Sequence, residues 1–94
     1  ESSSNNTLTN NTAYNDSTGF NIHFYSNNNT LRNNTAYNNS KGFHLERCLY
    51  NILTNNMAYN NSEGFDLDSS SNNNLTSNSA WDNTHGFDLS YSSN

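Results

Sequence analysis

The chain has 94 residues, a net charge of −5 and only three Lys and Arg residues. This charge balance argues against a nucleic-acid partner, which would need a basic stripe, and against binding to an anionic membrane surface. Hydrophobic residues make up 30% of the chain, too few for a conventional globular core of this size. No apolar run approaches the ~20 residues of a membrane-spanning helix, so we expect no membrane insertion. Cys48 has no second cysteine with which to form an intrachain disulfide.

A repeat of about 22 residues runs through the whole sequence. Gly19, Gly42, Gly64 and Gly86 follow one another at steps of 23, 22 and 22. Three further sets keep the same steps: Leu8, Leu31, Leu53 and Leu75; Ala13, Ala36, Ala58 and Ala80; and Phe20, Phe43, Phe65 and Phe87. The extra residue of the first step falls between Gly19 and Leu31, and we place it in a loop insertion within HFYSNNN, residues 23–29. Repeats of this length are typical of solenoid folds.

Each unit predicts three short strands in chain order. The first is a piece such as TLR and the second a piece such as TAY, each with one residue that can point inward. The third follows the glycine, where Phe43 and Leu45 alternate with polar residues. That period of two marks a strand with one buried face. Clusters of Asn and Ser separate the strands, as expected for turns.

Three short strands can form one coil of a β-solenoid, in which successive coils pair in parallel about 4.8 Å apart. We therefore predict an all-β fold, a parallel β-helix that forms one domain over residues 1–94. Its four coils are expected at about 2–24, 25–47, 48–69 and 70–94. The repeated Leu, Ala and Phe positions, with the Leu or Ile two residues after each Phe, would form four interior columns. Four coils exceed the roughly three that such a solenoid needs for stability.

The asparagines fit the same architecture. A side-chain amide has donors and an acceptor, so asparagines stacked in successive coils can hydrogen-bond along a ladder. Asn also tolerates the left-handed conformations of corners. Two sets recur in every coil and are predicted to form ladders: Asn6, Asn29, Asn51 and Asn73, and Asn11, Asn34, Asn56 and Asn78.

The pattern NNTLRNNTAYNNSKGFHL, which returns as NILTNNMAYNNSEGFDL, resembles right-handed parallel β-helix repeats of the NosD-like, carbohydrate-binding and sugar-hydrolase type. The resemblance covers essentially the whole chain and implies the right-handed sense of the coil. It also implies an extracellular or cell-surface location in an archaeon or bacterium. Proteins with these repeats include binding modules, surface structures, epimerases and hydrolases, so the resemblance does not define an activity.

One aromatic residue directly follows each repeated alanine. If the alanines point inward, strand alternation places an exposed row of rings on the outside. This row consists of Tyr14, Tyr37, Tyr59 and Trp81. Such a row could stack on sugar rings, which predicts a carbohydrate-binding surface for a polysaccharide. The alternatives are that neighbouring rings only cover one another, or that the register is reversed with the rings inside.

The outward positions of the strand after each glycine become acidic late in the chain. Asp66, Asp68 and Asp88 are predicted to form a carboxylate patch. Oxygen ligands suit Ca²⁺, the one cofactor proposed from the sequence, and a cation would relieve repulsion between stacked carboxylates. Paired carboxylates also suit glycosidic cleavage. We expect no enzyme, because a flat polar face has no pocket in which to desolvate an acid or base; a solvated acidic face is the simplest alternative.

The three histidines raise a metal-site hypothesis, since the NosD name is tied to copper. His23 and His44 are predicted on one face in adjacent coils, whereas His85 is predicted at the turn before Gly86. Two histidines without a fixed third ligand make a poor metal site, so we interpret all three as surface residues.

Eight Asn-x-Ser/Thr sequons begin at Asn5, Asn10, Asn15, Asn28, Asn33, Asn38, Asn60 and Asn74. In a secreted protein, such sequons carry glycans on exposed turns. The glycosylation candidates are Asn15, Asn28, Asn38 and Asn60. Sequons at interior ladder positions could not be modified after folding.

These observations favour a non-enzymatic structural β-helix of an extracellular or cell-surface protein. Neither end of the sequence shows a polar cap or capping helix, which solenoids need to stay soluble, and open strand edges invite pairing. We therefore expect either a piece of a longer solenoid or a subunit that self-associates end to end. A carbohydrate-binding module using the aromatic row is the main alternative. A polysaccharide-cleaving enzyme using Asp66, Asp68 and Asp88 is a third hypothesis.

Overall fold

The computed structural model describes residues 2–93, so Glu1 and Asn94, at the ends of the predicted domain, lie outside the described residues. Within that range the chain forms twelve strands, three in each coil. The first coil contains β1 (Thr7–Thr9), β2 (Thr12–Tyr14) and β3 (Thr18–His23), and the second contains β4 (Thr30–Arg32), β5 (Thr35–Tyr37) and β6 (Lys41–Glu46). The third contains β7 (Ile52–Thr54), β8 (Met57–Tyr59) and β9 (Glu63–Asp68), and the fourth contains β10 (Asn74–Thr76), β11 (Ser79–Trp81) and β12 (His85–Ser90).

Strands of successive coils pair in parallel and build three sheets. The first sheet has the order β1-β4-β7-β10, the second β2-β5-β8-β11 and the third β3-β6-β9-β12. Leu8 pairs with Leu31 and Phe20 with Phe43, so that the repeat of the sequence sets the register of the sheets. The predicted all-β solenoid of four coils with three short strands each is confirmed.

The interior consists of the predicted apolar columns. Strand alternation turns the repeated Leu, Ala, Phe and Leu or Ile side chains inward, and the two middle coils exclude them almost completely from solvent. The Phe rings stack, with 4.7 Å between the ring centroids of Phe20 and Phe43 and again between those of Phe43 and Phe65. Strands of three to six residues suffice for this core because each buried side chain packs on its counterparts in the neighbouring coils.

Several corners combine an outward asparagine with an inward one. Asn33 and Asn55 have positive φ and lie outside, whereas the residues that follow them, Asn34 and Asn56, are buried. The Asn34 backbone N–H donates to Asn56 Oδ1 at 2.9 Å, and Asn56 Nδ2 donates to Leu31 O at 2.9 Å. Both predicted asparagine columns form such hydrogen-bonded ladders. Asn suits both positions because it tolerates the left-handed conformation and supplies a donor and an acceptor.

A third ladder, which the repeat analysis does not predict, runs through Asp16, Asn39, Asn61 and Asn83. Its geometry is that of the other two, with 2.9 Å between Asn39 N and Asn61 Oδ1. The column begins with Asp16 in place of an asparagine, although its spacing follows the repeat.

The long corner after the third strand of each coil contains a further column of small inward side chains, in addition to the apolar columns and the three ladders. This column consists of Ser26, Cys48, Ser70 and Ser92. Ser26 lies three residues after the end of β3, whereas Cys48 lies two residues after the end of β6. The first coil therefore has two residues at this corner, Phe24 and Tyr25, where the second coil has only Arg47. All three have positive φ. Phe24 and Tyr25 lie within the predicted insertion segment.

Candidate functional site

The aromatic column, defined as Tyr14, Tyr37, Tyr59 and Trp81, lies on the outside of the second sheet. The inward alanine in the middle of each strand sets this orientation by strand alternation. Tyr14 is 53% exposed and Trp81 is 46% exposed. Ring centroids are 5.1 Å apart for Tyr14 and Tyr37, 5.0 Å for Tyr37 and Tyr59, and 4.4 Å for Tyr59 and Trp81.

This stacking determines which surfaces of the rings can bind a ligand. Interplanar angles of 3° to 6° leave neighbouring rings nearly parallel, so each ring covers a face of the next. Both faces of Tyr37 and Tyr59 are therefore occupied by other rings, and one face is left at Tyr14 and one at Trp81. A sugar would need a ring face to stack on, whereas the column offers ring edges along most of its length. The geometry matches the alternative in which neighbouring rings cover one another.

The outer face of the third sheet carries a group of charged residues, the ionic cluster, which consists of Lys41, His44, Glu63 and Asp66. Lys41 on β6 pairs in register with Glu63 on β9, and His44 pairs with Asp66. Lys41 Nζ lies 3.3 Å from Glu63 Oε2 and also donates to Asp66 Oδ2. His44 Nδ1 lies 2.7 Å from the same oxygen, and it is the donor because a carboxylate only accepts. These contacts join the second and third coils.

Burial and charge oppose each other in the ionic cluster. Burial alone would raise the pKa of Asp66, but the hydrogen bond and charge of Lys41, with those of His44, lower that pKa below its ordinary value. Burial alone would lower the pKa of Lys41, but Asp66 and Glu63 raise it above its ordinary value. Both shifts favour the charged forms of a structural ion pair. A carboxyl group held ionised in this way is unsuited to act as the general acid of glycoside cleavage.

The three carboxylates of the predicted patch have separate local partners. Asp66 belongs to the ionic cluster and lies in register with Asp88. Asp68 Oδ1 accepts a hydrogen bond from a neighbouring serine hydroxyl at 2.9 Å, and Asp88 Oδ1 accepts one at 3.2 Å. Among residues 2–93, no group of three or more His, Cys, Asp or Glu side chains is placed to hold a metal ion. The geometry therefore gives no support to the Ca²⁺ hypothesis.

The histidines are separated along the third sheet. His23 on β3 packs edge-on against Phe24, and His44 is bound in the ionic cluster. The prediction that His85 lies in a turn is wrong, because His85 is the first residue of β12 and pairs in register with Glu63. The third strand of each coil begins one residue before the glycine, and the glycines themselves are skipped in the register.

That earlier strand start explains why sequence reasoning missed Lys41 and Glu63 as members of the outer face. A strand predicted to begin after the glycine leaves both residues in a turn. A signal for the longer strand is present, because a polar residue precedes the glycine in every coil: Thr18, Lys41, Glu63 and His85.

All eight sequon asparagines are exposed. Seven of them occupy outward corner positions with positive φ, and Asn74 on β10 is the exception. The glycosylation candidates Asn15, Asn28, Asn38 and Asn60 all belong to the corner set. The eight sequon asparagines are all distinct from the ladder asparagines, so burial in a ladder blocks modification at none of the sequons.

The whole chain, residues 1–94, matches the family model described as Periplasmic copper-binding protein (NosD). The chain belongs to the NosD family. This membership agrees with the repeats that the sequence resembles and with the parallel solenoid of the structure. No curated protein and no solved structure matches the chain. The periplasmic description of the NosD family supports a location outside the cytoplasm; origin from an archaeon or bacterium stays a prediction.

The family description names copper, which proteins bind through nitrogen and sulfur donors such as His, Cys and Met. Cys48 is buried, with its sulfur 3.3 Å from Ile22 O and 3.1 Å from Glu46 O. Burial raises the pKa of that thiol, which disfavours the thiolate that binds metals. Met57 lies on the second sheet, whereas the three histidines lie on the third. The donors of residues 2–93 do not converge on a copper site.

No helix formed by the described residues is long and apolar enough to span a bilayer.

Proposed function

We propose that the chain is a non-enzymatic structural β-solenoid whose end faces bind further coils of the same design. In this proposal, a second copy of the chain stacks head to tail on the first. The observation that carries it is the polarity of the ladders, which leaves complementary groups on the first and fourth coils.

Every asparagine ladder runs in one direction. The backbone N–H of a ladder residue donates to the side-chain oxygen of its counterpart in the next coil, at 2.8 Å from Asn51 to Asn73 and 2.9 Å from Asn56 to Asn78. The side-chain nitrogen of the later residue donates back to a main-chain carbonyl, as Asn78 Nδ2 does to Leu53 O at 2.7 Å. The two ends of a stack of such coils are therefore different.

The fourth coil presents donors and the first coil presents acceptors. Among residues 2–93, three ladder N–H groups of the fourth coil lack an acceptor: those of Asn73, Asn78 and Asn83. Three side-chain oxygens of the first coil lack a donor among the same residues: those of Asn6, Asn11 and Asp16. A second copy placed one coil spacing away would match the three donors with the three acceptors. Each of these hydrogen bonds would contribute about 1 kcal/mol.

The apolar interior extends this complementarity. Phe65 is fully buried in the third coil, whereas Phe87 is 48% exposed and Leu89 is 57% exposed in the fourth. Leu89 lines an open recess of about 740 Å³ at this end of the molecule. Leu8 and Ile22 line a smaller recess of about 340 Å³ at the other end. Exposed apolar surface rimmed by polar groups is typical of an interaction site.

The two rival functions have weaker support. Carbohydrate binding would require free ring faces, and the aromatic column covers most of its own. Polysaccharide cleavage would require a carboxyl group that can give up a proton near neutral pH, and Lys41 and His44 keep the pKa of Asp66 below its ordinary value.

Cysteine cross-linking tests head-to-tail stacking in register. In a head-to-tail pair, Ser79 of one copy would lie next to Thr12 of the following copy, at the parallel-strand spacing of about 4.8 Å that a disulfide can bridge. We expect the Thr12→Cys/Ser79→Cys double variant to form covalent oligomers of three or more chains under oxidising conditions. Each single variant is the matched control and should stop at dimers, because it has one new thiol.

Substitution of the exposed end supplies a second measurement. Leu89→Lys places a charge in the end face, whereas Tyr91→Lys changes a 91% exposed residue outside that face. By light scattering and electron microscopy, we expect the unaltered chain and Tyr91→Lys to form rods, and Leu89→Lys to remain monomeric. A folded chain that stays monomeric at high concentration, with no covalent oligomer beyond dimers, would disprove the proposal.

A further inference from the structure

The corners of the solenoid sort their asparagines by position. Six corners have the triplet Asn-Asn-Ser/Thr, and the corner at Asn15 has Asn-Asp-Ser. In all seven, the first asparagine lies outside with φ between 54° and 62°, the second residue enters a ladder and the third residue starts or precedes a strand. The side-chain nitrogen of Asn34 is engaged with Leu8 O at 2.9 Å, and that of Asn61 with Ala36 O at 3.1 Å. The outward Asn33 and Asn60 donate no side-chain hydrogen bond to residues 2–93.

We infer that the outward corner asparagines are acceptor sites for N-linked glycans. The seven sites are Asn5, Asn10, Asn15, Asn28, Asn33, Asn38 and Asn60. Each is exposed, and the serine or threonine two residues later also lies on the outer surface rather than in the core. Attachment there removes no ladder hydrogen bond, so the coil can carry glycans without losing its corner structure.

The chemistry is transfer of a sugar from a diphosphate-activated, lipid-linked glycosyl donor. A bond forms between the asparagine Nδ2 and the anomeric carbon, while the bond from that carbon to the phosphate oxygen breaks. The lipid diphosphate leaves with the electron pair, and the amide nitrogen loses one proton. The periplasmic description of the NosD family supports exposure to such a donor outside the cytoplasm.

The chain contains its own controls for the role of the hydroxyl residue. Asn55 and Asn72 have the same outward corner conformation, with φ of 56° and 58°. The residues two positions later are Met57 and Asn74, so neither corner is a sequon. Corner exposure is therefore separated from sequon chemistry within one molecule.

The test treats the folded 94-residue chain with a purified oligosaccharyltransferase and a lipid-diphosphate oligosaccharide, and maps glycans by mass spectrometry. We expect modification at corner sequons, none at Asn55, Asn72 or ladder asparagines, and an unchanged circular dichroism spectrum. Met57→Thr creates a sequon at Asn55 and should raise its occupancy from none to that of Asn33. Met57→Val is the matched control, because it has the same shape without the hydroxyl and should leave Asn55 unmodified.

An unstructured peptide containing Asn-Asn-Thr confirms that the enzyme and donor are active in the same reaction. If the peptide is modified and the folded chain is not, the corner conformation denies access and the inference is wrong. It is equally wrong if Asn55 stays unmodified in Met57→Thr while Asn33 is modified, or if glycan attachment unfolds the coil.

Discussion

The outer faces of the second and third sheets place equivalent positions of successive coils at the same spacing, but the two faces carry different kinds of residues at these positions. On both faces, neighbouring coils lie about 4.8 Å apart. The second sheet keeps an aromatic residue in every coil and stacks the rings. The third sheet changes residue type from coil to coil, with Thr18, Lys41, Glu63 and His85 in one column.

The difference follows from the sign of the interaction between identical neighbours. Parallel aromatic rings attract one another, so one residue type can recur in every coil. Like charges at the same spacing repel, so a charged column must alternate in sign or be interrupted by neutral residues. Asp66 and Asp88 are like-charged neighbours, and Lys41 and His44 compensate the charge of Asp66. On these two outer faces, the column that varies in sequence contains the charge pairs, and the column that stays aromatic contains the stacked rings.

The largest expected effect comes from the close backbone approach that only the third sheet requires. A Cβ atom at Gly42 would lie 2.5 Å from Gly64 O, whereas one at Gly86 would meet nothing closer than Ala80 Cβ at 3.5 Å. We expect Gly42→Ala to lower the free energy of unfolding by about 3 kcal/mol, because a main-chain atom cannot move aside as a side chain can. Gly86→Ala should change it by less than about 1 kcal/mol. Urea denaturation followed by circular dichroism measures both, and equal losses would show that the close approach is unimportant.

The next effect concerns the uniform column of the second sheet. Tyr37 stacks on two rings and Tyr14 on one. We expect Tyr37→Ala to lower the free energy of unfolding by about 2 kcal/mol and Tyr14→Ala by about 1 kcal/mol, since each stacked pair contributes roughly 0.5–1.5 kcal/mol beyond buried area. Tyr37→Leu retains apolar surface and should recover part of the loss. If Tyr14→Ala costs as much as Tyr37→Ala, ring stacking does not account for the stability of the column.

A smaller effect with a distinctive pH dependence is expected in the ionic cluster. At neutral pH, Asp66→Asn should lower the free energy of unfolding by about 1 kcal/mol, because it removes charge-assisted hydrogen bonds. The lowered pKa of Asp66 means that its contribution is present above the unfolded value near 3.9 and is lost as the pH falls through the folded pKa. The raised pKa of Lys41 means that its contribution is present below the unfolded value near 10.4 and is lost as the pH rises through the folded pKa.

The difference between the unaltered chain and Asp66→Asn should therefore be largest between about pH 4 and pH 10 and should vanish in acid. Denaturation midpoints across this range measure it. Asp68→Asn is the control, since the Asp68 carboxylate accepts its hydrogen bond from a neighbouring serine rather than from a cation. A difference for Asp66→Asn that is constant with pH would contradict an ionic origin.

The same contrast explains how much of the molecule could be predicted from sequence. Uniform columns, such as the one from Phe20 to Phe87, can be recognised in the sequence because the same residue recurs at a fixed spacing. The number of coils, the interior columns and the outward orientation of the aromatic column could therefore be predicted from that spacing. The third ladder keeps the spacing but begins with Asp16, which obscured it. The contact between Lys41 and Asp66 joins different columns of adjacent coils, and no repetition signals such a pair. Its detection required the register of the strands.

The smallest expected effect is the salt dependence of the stability contributed by the two faces. It distinguishes charge pairing on the third sheet from ring stacking on the second. At 1 M salt the screening length is about 3 Å, so an exposed ion pair would lose most of its contribution. The Asp66 side chain is only 8% exposed, so screening of the ionic cluster should be incomplete. We expect 1 M KCl to reduce the stability difference caused by Asp66→Asn by less than about 0.5 kcal/mol. The difference caused by Tyr37→Ala should not fall, because ring stacking involves no net charge. If salt abolishes the stability difference caused by Asp66→Asn, the ionic cluster behaves as a solvated surface pair. If salt reduces the difference caused by Tyr37→Ala more than that caused by Asp66→Asn, the assignment of stacking to the second sheet and charge pairing to the third is wrong.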